Sequence, residues 1–154
     1  MSEQHEQYFT TDMAVVDAAL ARIDLGGRRV LEVGAGTGAL TRAILARAPR
    51  SVVAFEIEAG LCPVRDPRLV LREEAFPPKA GIVEGWDCLV AIPPYSVLPE
   101  IFRLLEVCSV NDAFLMVPPK FLGRPGFSVI GEMPGTAFSP PSEGVHTLIQ
   151  RGFR

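Results

Sequence analysis

The chain has 154 residues, 18 of them acidic and 15 basic, giving a formal charge of −3 and a pI near 5.4. That length holds one domain, residues 1–154, and the charge offers no polybasic face to nucleic acid; 48% apolar residues also exclude a disordered chain. No apolar run reaches the ~18 residues of a membrane span, the start MSEQHEQ is polar, and Cys62, Cys88 and Cys108 lie far apart, which suits a reducing cytoplasm better than a disulfide framework or zinc site.

From Thr10 to Ile23 the apolar residues Val16, Ala19, Leu20 and Ile23 recur at helical spacing, with Asp12 as N-cap. Gly26-Gly27 stops that helix, and Arg28 to Val33 reads as a short strand. A glycine loop follows, then a helix over Ala39 to Ala48 with Leu40, Ala43 and Ile44 inward, ended by Pro49. Ser51 to Ile57 is a nearly continuous apolar strand of the kind buried on both faces of a parallel sheet. Leu69 to Leu71, Cys88 to Ile92 and Ala113 to Val117 are three more short strands. Between the last two, Leu98, Ile101, Phe102 and Leu105 mark a helix with Pro99 in its first turn. Phe127 to Met133 and Val145 to Phe153 read as a closing antiparallel pair, their order in the sheet left open.

Strands alternating with helices predict an α/β fold whose sheet is mostly parallel, with an antiparallel C-terminal strand. The links before Leu69 and over Pro118 to Pro125 are shorter than the dozen residues of a usual crossover. The fold is therefore expected to have a reduced number of helices, and its bare sheet faces to meet a partner, as a homodimer or heteromer.

Glu32-Val33-Gly34-Ala35-Gly36-Thr37-Gly38 stands where a strand turns into a helix. Gly34 and Gly36 permit tight dihedrals and close approach of a ligand to the main chain. Glu56 ends the next strand, which in a parallel sheet sets its carboxylate beside the loop, within reach of a ribose diol. A nicotinamide dinucleotide and S-adenosylmethionine both satisfy this geometry. Glu32, the third glycine at Gly38 and the absence of room for a substrate domain favour S-adenosylmethionine; a structural turn without ligand is the plain alternative.

These segments resemble the rRNA adenine dimethyltransferase family, the Rossmann-like class I methylases behind kasugamycin sensitivity and erythromycin resistance. Gln7-Tyr8-Phe9-Thr10-Thr11-Asp12 resembles its Q-N-F-L-x-D segment, Leu31 to Thr41 its cofactor loop, and Phe55-Glu56-Ile57-Glu58 its ribose-binding strand end. Glu73-Glu74-Ala75-Phe76 stands at its G-D-A-L, Ile92-Pro93-Pro94-Tyr95 at its N-L/P-P-Y, and Ala137-Phe138-Ser139-Pro140-Pro141 at its F-x-P-P. The resemblance implies S-adenosylmethionine held by Gln7, Tyr8, Thr10, Glu32, Gly34, Gly36, Gly38, Glu56, Glu74 and Ile92, with Glu73 an alternative register to Glu74 at the adenine, and no metal. It implies transfer to an adenine N6 of rRNA, with Pro93 accepting an amine hydrogen through its carbonyl, Tyr95 stacking on the base and Phe138 covering its far side.

The chain departs from the family at the asparagine, here Ile92, and its length to Arg154 leads us to expect a shortened form that lacks the basic helical C-terminal domain typical of members. In the family the asparagine oxygen accepts the second amine hydrogen; Ile92 accepts nothing. Another methyl acceptor, a small molecule or protein, or a catalytically weak cofactor-binding subunit is therefore the alternative. His5 and His146 lack metal-spaced companions and read as incidental. Arg65, Arg68 and Arg72 read as a solvated face rather than a phosphate contact.

Overall fold

The computed structural model describes residues 9–78, 81, 85–108 and 110–153. Its elements in chain order are β1 (Phe9–Thr10), α1 (Ala14–Leu20), β2 (Arg29–Val33), α2 (Ala39–Leu45), β3 (Ser51–Phe55), β4 (Leu69–Arg72) and β5 (Cys88–Ala91). There follow α3 (Leu98–Val107), β6 (Asp112–Val117), β7 (Ser128–Pro134), β8 (Phe138–Ser139) and β9 (Val145–Arg151). Seven strands form one sheet in the order β4-β3-β2-β5-β6-β9-β7. β4 through β6 run parallel, whereas β9 pairs antiparallel with both β6 and β7. The mostly parallel α/β sheet is thus as expected, and β9 enters between β6 and β7.

The strands are short because each is a few apolar residues between breakers. Residues Cys88 to Ala91 are all buried, and the α3 residues Leu98, Ile101, Phe102 and Leu105 press on one sheet face. Each such burial contributes roughly 1.5–3 kcal/mol. On the other face α1 and α2 bury Val16, Leu20, Leu40 and Ile44 against Val30, Val52 and Val90.

Two expectations are corrected. Thr10 does not open the first helix: it pairs in a small antiparallel ribbon, Thr10 opposite Phe138, and the helix begins at Ala14. Asp12 still marks its start, its Oδ1 accepting the Ala14 N–H at 3.0 Å. The second helix stops at Leu45 rather than Ala48, because Ala48 takes a φ of +55° and its carbonyl accepts the Gly27 N–H. The sheet faces are covered in part. Phe121 and Phe127 from the short crossover after β6 pack on Phe102, and Phe76 and Trp86 close the same face. On the edge strands Val70 and Val129 stay exposed, at 57% and 54%. Among the described residues no helix is long and apolar enough to cross a membrane.

Candidate functional site

The strand order reverses between β2 and β5, with β3 on one side and β6 on the other. In an open α/β sheet the crevice at that reversal, beyond the carboxyl ends of the strands, is where ligands bind. The glycine loop follows β2 and Ile92-Pro93-Pro94-Tyr95 follows β5, so the fold itself brings the two motifs together. Their contact is tight: a Cβ on Gly34 (φ +81°) would lie 3.1 Å from the Pro93 Cα and 3.2 Å from the Pro94 Cδ.

The loop's amides are largely spoken for. Gly34 and Ala35 donate to the Phe55 carbonyl at 2.9 and 3.0 Å, and Gly38 donates to the Ala35 carbonyl. Gly36 donates instead to Glu56 Oε1 at 2.7 Å, while Glu56 Oε2 accepts the Glu58 N–H. Glu56 is 5% exposed and has lone pairs left over, since a carboxylate offers about four acceptor sites. Gly38 (φ +94°) has a packing reason: a Cβ there would meet Val64 Cγ2 at 2.5 Å, and it borders neither cavity at the loop.

On one side of the loop lies a cavity of about 120 Å³, lined by Val33, Gly34, Phe55, Glu56, Ile57, Glu74, Ala75, Phe76 and Pro94 among others. Glu74 borders it, held by Arg72 Nε at 2.9 Å, whereas Glu73 faces away and accepts the Gly60 N–H. The register chosen at the sequence level for the acid is the one that faces the cavity. A smaller hollow on the other side is lined by Phe9, Thr10, Gly34, Gly36, Thr37 and Ile92. Gln7 and Tyr8 lie outside the described residues.

Beneath the loop Glu32 is fully buried. Its Oε1 accepts the Thr41 hydroxyl at 2.6 Å, and its Oε2 has no partner. Burial, opposed by the Thr41 bond and reinforced by the Glu56 charge, pushes its pKa up to about 7. A buried carboxyl oxygen without a donor is costly, and Glu32 lies behind the loop, bordering neither cavity.

The acceptor side differs from expectation. The Tyr95 hydroxyl is bonded to His146 Nδ1, and Ser142 Oγ to His146 Nε2. Phe138, expected to cover the far side of a base, is 2% exposed and lies edge-on to the His146 ring at 4.8 Å, because β8 is pinned between β1 and that histidine. The sequence reading missed His146. The only signal was a polar residue within the apolar strand Val145–Arg151, shortly after Phe138-Ser139-Pro140-Pro141. Burial lowers its pKa, which favours the neutral ring; one ring nitrogen then donates and the other accepts, so the bonds to Tyr95 and Ser142 run in opposite senses. The same burial raises that of Tyr95.

A sequence model of the ribosomal RNA adenine dimethylases matches residues 1–75. A probable ribosomal RNA small subunit methyltransferase A from Methanospirillum hungatei is 29% identical over 171 aligned residues, 92% of this chain and 65% of that protein. The chain is similar to the ribosomal RNA adenine dimethylases. It spans about half the length of other curated relatives, 47% of one from Aster yellows witches'-broom phytoplasma and 52% of one from Thermotoga petrophila. Among solved structures, the 23S rRNA methyltransferase ErmE superposes with a TM-score of 0.74 at 19% identity, covering 95% of this chain and 70% of that one. A dimethyladenosine transferase from Plasmodium falciparum does so at 0.72 and 18%, covering 93% and 62%. These likenesses confirm the class I methyltransferase fold. Against the dimethylase pattern, the loop from Leu31 to Thr41 is kept and the asparagine position is Ile92, which borders the hollow beside Gly36.

Proposed function

We propose that the protein is an S-adenosylmethionine-dependent methyltransferase acting on adenine in rRNA, in a reducing, cytoplasmic setting consistent with its free thiols. The observation that carries the reading is the Glu32–glycine loop–Glu56 arrangement at the strand-order reversal. A carboxyl oxygen without a donor sits under the loop, and a carboxylate on the Gly36 amide sits above it. The residues fit the cofactor: Glu56 for the ribose hydroxyls and Glu74 with Phe76 and Ile57 for the adenine, while Glu32 stands behind the loop. When bound, this group supplies an electrophilic methyl on a sulfonium.

The chain's own task is alignment, because methyl transfer is an in-line displacement that needs donor and acceptor at near-attack distance. The Pro93 carbonyl accepts one hydrogen of the acceptor amine, and Tyr95 offers its ring face while His146 holds its hydroxyl. Phe138 backs His146 in this arrangement. Ile92 carries no acceptor for the second amine hydrogen, and losing a contact that tightens in the transition state costs about 10²–10³ in rate. That single position favours a second reading, methyl transfer to a non-RNA acceptor.

Tritium transfer from labelled S-adenosylmethionine to total rRNA tests the first reading, followed by nucleoside analysis. Label in methyladenosine is expected for the wild type, rising about tenfold or more in Ile92→Asn. No label in either protein at saturating cofactor overturns it in favour of the second.

A further inference from the structure

An open cavity of about 450 Å³ lies between α2 and the segment 63–68, walled by Arg42, Leu45, Pro63, Arg65, Asp66 and Arg68. It fills the place where the crossover from β3 to β4 carries no helix, and it is separate from the cleft at the glycine loop. Three arginine residues border it with a single carboxylate residue, Asp66. That carboxylate is already committed: Asp66 Oδ1 accepts the Arg68 backbone N–H at 2.8 Å and Nε at 3.0 Å, and Oδ2 accepts Nη2 at 3.0 Å. Arg68 is thereby neutralised and fixed. Among the described residues, Arg42 and Arg65 make no ion pair, and Arg42 has only a 3.5 Å bond to the Thr37 carbonyl.

Arg42 and Arg65 are both exposed, and on one wall of a cavity without a free carboxylate they leave a local positive charge that an anion would balance. A carboxylate's two oxygens would be consumed by one fork, whereas a phosphate group presents enough acceptor oxygens for both. We propose that this cavity is a phosphate-binding site held by Arg42 and Arg65, with the Arg68–Asp66 pair as its rigid floor. A phosphodiester of an RNA strand and free inorganic phosphate share this chemistry. The site stands apart from the methyl-transfer reading and needs no cofactor.

The test uses the full chain as wild type, as the Arg42→Gln/Arg65→Gln double variant, and as an Arg22→Gln/Arg50→Gln control with the same charge change elsewhere. One arm follows thermal stability with inorganic phosphate against chloride at matched ionic strength. The other follows anisotropy of a fluorescein-labelled single-stranded RNA across increasing KCl. Wild type and control are expected to gain stability from phosphate while the Arg42/Arg65 variant does not. If RNA is the source, that variant's affinity falls about tenfold and its log–log salt slope shrinks by about 1.4, two contacts at roughly 0.7 each. Loss of the phosphate response with unchanged RNA binding assigns the site to free phosphate. Unchanged behaviour in both arms, or equal losses in the control, overturns the proposal. Calorimetric titration with S-adenosylmethionine on the same variant keeps the two readings separate, since failure here leaves that binding as it was.

Discussion

The two sides of the cleft are built on different terms. On the loop side the centre is placed by backbone geometry: Gly34, Gly36 and Gly38 adopt positive φ, and Glu56 is tied to the Gly36 amide. On the acceptor side the polar groups are placed by side chains from distant segments, Tyr95 by His146 and His146 by Ser142. A site fixed by the main chain keeps a short local pattern through sequence change. A site fixed by side chains can be rebuilt one residue at a time, and the Ile92 departure lies on that side.

The loop side breaks most easily at Gly36. Its φ of +57° disfavours any L residue, a β-branched one most, and a Cβ would stand 3.4 Å from the Phe9 ring. Gly36→Val is expected to weaken S-adenosylmethionine binding by about 100-fold or more, read by calorimetry, as the loop shifts and Glu56 loses its amide partner. Affinity within a few-fold of wild type would show that the loop is not the binding element.

Glu32 sharpens the same side through pH. Its folded pKa of about 7 stands above the ordinary value of 4.5 because the group is buried. The unfolded chain thus releases this proton first, and as pH rises from 4.5 through 7 the protonated folded form loses ground. Between pH 5 and 8 the wild type should lose about 2–3 kcal/mol relative to Glu32→Gln, measured by urea unfolding at each pH. Parallel pH profiles for the two proteins would mean that Glu32 ionises in the fold as it does in water.

The loop side was also the legible one. Gly34, Gly36, Glu32 and Glu56 stand within 25 residues and in two adjacent strands, so spacing alone put them together. α3 was equally legible, since Leu98, Ile101, Phe102 and Leu105 are the four side chains it buries. What stayed hidden depended on long-range pairing. Thr10 looked helical by spacing, but the Ala137 carbonyl takes the Thr11 and Asp12 amides and the ribbon with Phe138 wins. His146 looked incidental because its partner Tyr95 is 51 residues away. The arginines after Pro63 read as a uniform face. The structure divides them, sending Arg72 to Glu74 and the Phe55 ring while Arg42, from another helix, joins Arg65 and Arg68. A net charge of −3 concealed that local concentration, because a sum over the chain carries no positions.

The acceptor side yields the smallest expected effect and the most specific one. If the Tyr95–His146 bond sets the ring that meets the acceptor, then Tyr95→Phe and His146→Gln should each cost about 1 kcal/mol or somewhat more, since each leaves a buried polar group short of a partner. The double variant should cost less than their sum, with a coupling of about 0.5–1.5 kcal/mol in urea unfolding. The histidine also predicts a sign. Its folded pKa is lowered by burial, so the stability it contributes is present above the ordinary 6.5 and lost as pH falls through the folded value. This is the opposite direction from Glu32, and the His146→Gln single variant should flatten only that acid limb. Strict additivity of the two substitutions would show Tyr95 to be held by its ring packing alone, and the acceptor side would then owe its geometry to the apolar core instead of to a hydrogen-bonded chain.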